Sequence, residues 1–264
     1  MKVAMVQMNS QPDPQRNLLL VEHFFREAAA AGASLITFPE NFLAMGAGSS
    51  QIAHTDWQAI IERLQSFCRE YAIACIAGTL PLPHPDAAEK RRYASALVIA
   101  ANGEIMGGYQ KIHLFDAEVG DGVGVYRESD EYCPGTLPLV VELGGMKIGL
   151  AVCFDLRFPT MFVEYRREGV ELFVIPSAFT RKTGALHWEL LLRARAIEGQ
   201  CYVVAPGQCG THGDGRETYG HSLAVSPLGE VMADLGEEPG VVVVELDREL
   251  VAKTRRAMPM REPL

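Results

Sequence analysis

KIGLAVCFDLRFP, residues 147–159, joins an apolar strand to the start of a helix. The apolar run ends at Val152, and a polar turn then leads into Pro159. Cys153 lies at the junction, where backbone N–H groups at a helix N-terminus can receive developing negative charge. We therefore expect an outward-pointing nucleophilic thiol. Free cysteine is also among the most buried residue types, and strand alternation alone does not exclude an inert core residue here.

Two other predicted strands end at a charged residue in the same way. The strand at 34–38 is followed by Pro39, which cannot continue a ladder, and then by Glu40. The strand at 104–110 is followed by Lys111. Active sites of open α/β layers collect at the carboxyl ends of strands. We therefore predict that the carboxylate, the ammonium group and the thiol meet at one site.

Three motifs together resemble the signatures of the carbon-nitrogen hydrolase (nitrilase) superfamily. They are FPEN at 38–41, YQKIHLFD at 109–116 and AVCFDLRFP at 151–159, and the similarity extends from Lys2 to Asp247 or beyond. The resemblance implies an α/β fold built as an α-β-β-α four-layer sandwich. It also implies a small-molecule amide substrate, no cofactor, and at least a homodimer or a higher homo-oligomer.

Composition favours one domain over residues 1–264, because no Ser-rich or Pro-rich linker divides the chain. Many strands interleaved with few helices predict two packed sheets with helices outside. Helices are predicted at 14–31, 55–71, 159–168 and 186–199. Strands are predicted at about 2–8, 34–38, 73–78, 94–100, 104–110, 139–143, 147–152, 172–176, 201–206, 219–226, 230–234 and 241–245.

Charge and hydropathy exclude several classes of partner. The formal net charge of −9 argues against nucleic acid, which requires a basic face. No stretch approaches the roughly 18 uninterrupted apolar residues that a membrane span needs. The chain enters a strand directly after Met1, without an apolar signal-peptide core, so we expect a cytoplasmic protein. The six cysteines are expected to be reduced, and without a Cys-x-x-Cys pair no metal site is predicted.

The resemblance assigns catalytic roles to Glu40, Lys111 and Cys153. Cys153 would attack an amide carbonyl, with neighbours that favour its thiolate, and Lys111 would supply positive charge. Glu40 would serve as general base and acid in both half-reactions. The oxyanion would lie between Lys111 and the backbone N–H of Phe154. Glu128 is where relatives place a second glutamate that bonds the lysine, although a solvated loop carboxylate is the alternative.

Several residues are candidates for binding the substrate. Arg157, just past the nucleophile, could bind a substrate carboxylate or brace the helix, since arginine suits both roles. Ala178 and Phe179 follow a strand end and could line the pocket. Arg181 lies in a basic segment, 180–183, that we predict to be a short loop able to meet a second carboxylate. The Gly-rich segment 117–134 is predicted to be a loop over the pocket mouth.

Within the superfamily, four segments most resemble the branch that hydrolyses deaminated glutathione to 2-oxoglutarate and cysteinylglycine. They are residues 187–198, 200–205, 208–210 and 219–222. An ω-amidase acting on 2-oxoglutaramate shares the acyl half of that substrate and is the main alternative, followed by a carbamoyl-amine hydrolase. A catalytically idle binding module is disfavoured, because all three catalytic positions hold the expected residues.

The C-terminal tail departs from the family pattern. Relatives run on past a Met-Pro pair like Met258-Pro259 into paired arginines, whereas here residues 260–264 end the chain. Such tails often help to hold dimers together, so we expect the details of assembly to differ in this protein.

Overall fold

Six α-helices are seen in residues 1–260, the part of the chain that the computed structural model describes. Helix α1 shows why they form. The Asp13 side chain accepts from the backbone N–H of Gln15 at 3.0 Å, and Pro14 occupies the first turn. The helices are α1 (Pro14–Ala30), α2 (Ser49–His54), α3 (Trp57–Tyr71), α4 (Pro159–Arg167), α5 (Arg181–Gly199) and α6 (Arg248–Ala257). Within residues 1–260, none of these helices has the length and apolar character needed to cross a membrane.

The strands form two six-stranded sheets, with order β16-β1-β2-β3-β4-β5 in the first and β15-β14-β11-β10-β9-β8 in the second. Their bounds are β1 (Lys2–Gln7), β2 (Leu35–Thr37), β3 (Ala74–Pro83), β4 (Arg92–Ile99), β5 (Ile105–Gln110), β6 (Asp116–Glu118), β7 (Val125–Arg127), β8 (Leu139–Leu143), β9 (Met146–Leu150), β10 (Leu172–Val174), β11 (Tyr202–Ala205), β12 (Cys209–Thr211), β13 (Glu217–Tyr219), β14 (Leu223–Val225), β15 (Val231–Asp234) and β16 (Gly240–Glu245). The pairs β6-β7 and β12-β13 form two separate hairpins.

The alternation of β1 shows how the layers are arranged. Val3 and Met5 belong to the core that both sheets share, whereas Ala4 and Val6 pack into a second core with α1 and α3. Helices α4 and α5 cover the outer face of the second sheet, where Phe162 of α4 packs on that sheet. The layers therefore run helix, sheet, sheet, helix, and the predicted four-layer α/β sandwich is confirmed.

The sheets direct their parallel strands toward one common edge. In the first sheet β2 and β3 are parallel, and β5 runs in the same direction because two antiparallel steps separate it from β3. In the second sheet β9, β10 and β11 are parallel. The segments that follow β2, β5, β9 and β10 therefore lie at the carboxyl ends of parallel strands, where side chains from the two sheets can meet.

Several local expectations were wrong. Helix α5 begins at Arg181 rather than at 186, because the Thr180 side chain caps it by accepting from the N–H of Thr183 at 3.3 Å, so segment 180–183 is not a loop. Segment 117–134 is not a plain loop either, because it contains most of the β6-β7 hairpin and a short 3-10 helix, Glu128–Asp130. Helices α2 and α6 were not predicted. The expectations for residues 261–264 of the tail lie outside the described residues.

Candidate active site

Glu40 lies in the turn that follows β2 at the edge of the first sheet. Its side-chain Oε1 accepts from the Lys111 ammonium at 2.7 Å, and its Oε2 accepts from the backbone N–H of Ala178 at 2.9 Å. Gly78 of β3 makes this turn possible, because a Cβ there would lie 1.8 Å from the Pro39 carbonyl oxygen. The backbone of β3 and the turn are therefore in direct contact, which holds the carboxylate in place.

Lys111 follows β5 and is held between two carboxylates. Besides its contact with Glu40, its Nζ donates to both oxygens of Glu128, at 3.0 and 2.8 Å. Glu128 also accepts from the backbone N–H of Phe115 at 2.6 Å. The Lys111 side chain is only 2% exposed, so its charge is buried and paired on two sides. The structure thus brings three of the predicted residues into one buried network.

Cys153 occupies a strained elbow between β9 and a 3-10 helix, Cys153–Arg157. Its φ of +47° lies in the left-handed region, which costs a non-glycine residue about 1–3 kcal/mol. The elbow is held by a hydrogen bond from the Cys153 N–H to the Pro176 carbonyl, at 3.0 Å. Cys153 is 8% exposed, so the expected outward-pointing thiol is instead buried, although it lines a cavity. It interacts there with Glu40 and with the backbone N–H of Ala178.

A buried carboxylate, Asp155, connects the strand ends that carry Lys111 and Cys153. Its Oδ2 accepts from the Tyr109 hydroxyl at 2.7 Å and from the N–H of Val152 at 2.8 Å. Its Oδ1 accepts from the backbone N–H of His113 at 2.9 Å and from the His113 ring nitrogen, Nδ1, at 2.7 Å. Tyr109 and His113 flank Lys111, and Val152 precedes Cys153. Asp155 therefore links the lysine-bearing segment to the nucleophile elbow across the two sheets.

Burial and neighbouring charges determine the protonation states. Burial raises the pKa of the Cys153 thiol well above its ordinary value; Glu40 raises it further and Lys111 opposes this. Burial opposes the charge of Lys111, but Glu128 and Glu40 outweigh it and keep the pKa of the ammonium group well above its ordinary value. Burial also raises the pKa of the Glu128 carboxyl, against the pull of Lys111. Burial and Glu40 thus favour the neutral thiol of Cys153, contrary to the expectation that its neighbours favour the thiolate.

Two cavities meet at the nucleophile. The larger measures about 390 Å³ and the smaller about 20 Å³, and their walls share Phe115, Cys153, Ala178 and Thr180. The smaller cavity is closed by aromatic rings and by the Arg157 guanidinium. The larger is lined by the network of Glu40, Lys111 and Glu128 and also by residues of the two hairpins. An amide bound at Cys153 can therefore place its two halves in different cavities.

The predicted substrate-binding residues separate into two groups. Phe154, Arg157, Ala178 and Phe179 all line the smaller cavity. The Arg157 guanidinium lies 5.3 Å from the centre of the Phe179 ring and 6.0 Å from that of Phe154. Arg181 lines neither cavity, because it is the first residue of α5 and not part of a loop at the site. Its side chain is half exposed and pairs with Glu237 at 3.2 Å.

Two residues of this site were not predicted. Asp155 has a local signal, because an acidic residue three positions after the N-cap of a helical turn often accepts from the backbone N–H of that N-cap, as in a capping box. Here the N-cap is Val152. Its bonds to Tyr109 and His113 depend on the contact between sheets and have no local signal. Arg127, at the outer part of the larger cavity, has no signal beyond its position next to Glu128.

The fold and this site are those of a carbon-nitrogen hydrolase. The sequence model of the carbon-nitrogen hydrolase family matches residues 2–256, so the chain belongs to that family.

Among curated relatives, the chain is 36% identical over 260 residues to the deaminated glutathione amidase of Synechocystis sp., covering 97% of this chain and 95% of that one. It is 37% identical over 263 residues to the human deaminated glutathione amidase, covering 98% and 80% of the two chains. A probable hydrolase, nit2, of Schizosaccharomyces pombe is also 37% identical, covering 97% and 95%.

Solved structures show the same similarity. The C. elegans NitFhit protein has a TM-score of 0.91 and 33% identity; the match covers 98% of this chain and 63% of that one, so this chain spans under two thirds of that protein. Saccharomyces cerevisiae Nit3, a member of branch 10 of the nitrilase superfamily, has a TM-score of 0.88 and 28% identity over 99% and 95%. An amidase from Nesterenkonia sp. AN1, solved as a glutamate-to-glutamine mutant with acrylamide added at its active-site cysteine, has a TM-score of 0.82 and 30% identity over 98% of both chains.

Proposed function

We propose that this carbon-nitrogen hydrolase is an amidase that hydrolyses deaminated glutathione to 2-oxoglutarate and cysteinylglycine through a thioester on Cys153. The observation that carries the chemistry is the buried Lys111 ammonium, held by Glu40 and Glu128 beside the thiol. A base, a fixed positive charge and a nucleophile are the groups that acyl transfer requires.

The first half-reaction begins from the neutral thiol. As the Cys153 sulfur attacks the amide carbonyl, Glu40 takes the thiol proton, because the raised pKa of the thiol disfavours a free thiolate. The oxyanion is stabilised by the Lys111 ammonium and the N–H of Phe154. The C–N bond then breaks, Glu40 gives its proton to the leaving nitrogen, and the acyl group remains on sulfur as a thioester.

The second half-reaction repeats these steps with water. Glu40, now ionised, removes a proton from a water molecule that attacks the thioester carbonyl. The C–S bond breaks, the acid product leaves, and the proton returns to the Cys153 sulfur. Glu128 keeps Lys111 in position throughout, since it holds the ammonium by two contacts that do not involve Glu40.

The smaller cavity supports a carboxylate-bearing acyl group. Arg157 reaches it beside apolar rings, and no carboxylate in residues 1–260 forms an ion pair with this guanidinium. A volume of about 20 Å³ leaves room for only a small polar group there. The carboxylate of a 2-oxo acyl chain fits that description, because arginine binds carboxylates through paired hydrogen bonds. The relatives named deaminated glutathione amidase support this choice of substrate.

The test is 2-oxoglutarate release by the purified protein from deaminated glutathione and from 2-oxoglutaramate, side by side, with Cys153→Ala as the blank. We expect a higher kcat/KM on the peptide substrate and no release by the variant. A preference for 2-oxoglutaramate would assign ω-amidase activity instead. Activity on neither amide would overturn the proposed substrate and leave the family chemistry.

We further propose a homodimer formed through α5, acting in the cytoplasm. Leu186 and Leu190 are each 69% exposed and share one stripe of the helix with Ile197, and such an apolar face is typical of an interface. The six cysteines are all free thiols, which fits a reducing compartment. Light scattering should give a dimer for the wild type and for Leu19→Glu on α1, and a monomer for Leu190→Glu. A monomeric wild type would exclude the interface.

A further inference from the structure

The outer half of the larger cavity contains charged groups that the hydrolytic chemistry does not use. Two arginines line it, Arg127 at the end of β7 and Arg216 in the turn of the β12-β13 hairpin. The guanidinium of Arg216 is already engaged, because its Nε donates to Asp214 Oδ2 at 2.5 Å. Both hairpins line this cavity beside Tyr126. Burial raises the pKa of Tyr126, its hydrogen bond to Asp121 raises it further, and the charges of Arg216 and Asp214 have smaller effects.

Arg127 has no such partner. Within residues 1–260 it forms no ion pair, and its charge acts only at longer range on Asp116, its neighbour across the hairpin. The pKa of Asp116 is lowered first by hydrogen bonds from Ser129 and only lastly by Arg127. Arg127 is exposed, as most surface arginines are, but it also forms part of the wall of the catalytic cavity. Its donors are therefore available to a bound molecule.

The position of Arg127 next to Glu128 in the chain suits the binding of a short peptide leaving group. Arg127 precedes Glu128, so their Cα atoms lie about 3.8 Å apart, and Glu128 contacts the Lys111 ammonium at the reaction centre. A leaving group of two residues spans about 7 Å when extended, which takes its terminal carboxylate from the scissile nitrogen toward the outer part of the cavity.

We propose that Arg127 is the anchor of a leaving-group subsite that binds the C-terminal carboxylate of a dipeptide. The inference rests on the proposed amidase function and adds how the enzyme distinguishes a peptide amide from a primary amide. Glu131 and Glu217 share the wall and repel an anion, and Glu131 accepts from the Ser49 hydroxyl at 3.2 Å. Carboxylate binding there depends on Arg127, since Asp214 already neutralises Arg216.

The experiment compares two peptide substrates that differ in one group: deaminated glutathione and its C-terminal amide, in which the glycine carboxylate is replaced by a carboxamide. For the wild type, we expect kcat/KM on the amide to be lower on the order of tenfold to a hundredfold, the effect of losing a charge-assisted hydrogen bond. In Arg127→Met the two substrates should be hydrolysed with similar kcat/KM. The matched control Arg26→Met, on the exposed face of α1, should keep the wild-type ratio.

The outcomes separate this inference from the proposed function. If the wild type hydrolyses neither peptide, the proposed substrate is wrong. If it hydrolyses both equally well, the substrate stands and the carboxylate subsite is wrong. A wild-type ratio retained in Arg127→Met, or lost in Arg216→Met alone, would also overturn the assignment to Arg127. Calorimetric binding of both peptides to Cys153→Ala checks the same preference without turnover, and equal affinities there would count against the subsite.

Discussion

Replacing Asp155 by Asn tests whether the buried carboxylate positions the nucleophile or only stabilises the fold. The substitution preserves shape but places an NH₂ group where an acceptor is needed. If the amide oxygen takes the Oδ1 position, His113 keeps both of its contacts. The NH₂ group then faces the N–H of Val152 and the hydroxyl of Tyr109. The hydroxyl can turn and accept, but the backbone N–H cannot.

The expected cost follows from these contacts. A buried N–H left without an acceptor costs about 1–3 kcal/mol, and three remaining bonds weaken by roughly 1 kcal/mol each when the acceptor loses its charge. The free energy of unfolding should therefore fall by about 4–6 kcal/mol. Because the Val152 contact holds the elbow of Cys153, we also expect kcat to fall about a hundredfold, the effect of misplacing a reacting group by roughly 1 Å.

Two variants serve as controls. Tyr109→Phe removes one of the four contacts of Asp155 and leaves the Val152 N–H satisfied, so kcat should fall less than about tenfold. Leu64→Ala creates a cavity in the core beneath α3, far from the site, at a similar cost of about 2–5 kcal/mol. Urea unfolding gives the stabilities, and kcat and KM are measured well below each melting temperature.

The comparison distinguishes positioning from stability. If Leu64→Ala lowers kcat as much as Asp155→Asn at equal destabilisation, the carboxylate contributes only to the fold. A Tyr109→Phe variant with lower kcat than Asp155→Asn would contradict the role given to the Val152 contact. A normal kcat in Asp155→Asn would refute the reasoning altogether.

Three further predictions concern the thiol and the Glu40 turn. Glu40→Gln removes a charge that raises the pKa of the Cys153 thiol, so mass spectrometry should show faster labelling of Cys153 by iodoacetamide. Amidase activity should fall about a thousandfold, because the general base is lost. Slower labelling would contradict the electrostatic effect of Glu40. Burial raises the pKa of five thiols above their ordinary value of 9.0. Above pH 9 the unfolded chain therefore binds fewer protons than the folded one, and the free energy of unfolding should fall as the pH rises. Urea midpoints at pH 7.5 and 9.5 that agree would count against this. Gly78→Ala drives a Cβ against Pro39 and should lower the free energy of unfolding, measured by thermal unfolding, by about 3 kcal/mol or more. Gly240→Ala, where the new Cβ would lie 3.8 Å from its nearest neighbour, should lower it by under about 1 kcal/mol. Equal effects would refute the close approach at Gly78.

Sequence reasoning placed the three predicted site residues at one edge of the fold because a general rule of layered α/β folds applies to them, and the structure brings them together there. Glu40, Lys111 and Cys153 each follow an apolar strand, and such strands end at a common edge when they are parallel. The local pattern therefore carried three-dimensional information. The start of α5 has a local signal in the Thr180 cap, but the basic residues that follow predicted a short loop at 180–183 instead.

The electrostatic state of the site could not be predicted in this way. Whether the thiol of Cys153 is ionised depends on how completely the surrounding protein excludes water, and the sequence around it gives no measure of that exclusion. The bonds that Asp155 makes to Tyr109 and His113 join residues 46 and 42 positions apart. The cavity wall at Arg127 likewise exists only because two hairpins distant in sequence meet.

Under the mechanism proposed above, Lys111 needs two carboxylates. A buried ammonium paired only with Glu40 would hold that carboxylate in a tight ion pair and make it a weaker base. Protonation of Glu40 by Cys153 would break that pair and leave the buried ammonium without a partner. Glu128 contributes two contacts to Lys111, against one from Glu40, and its own position is fixed by the N–H of Phe115. The ammonium therefore stays charged and in place when Glu40 becomes neutral during attack. The positive charge needed for the oxyanion is present at the same moment as the proton acceptor, which a simple Glu-Lys pair could not provide.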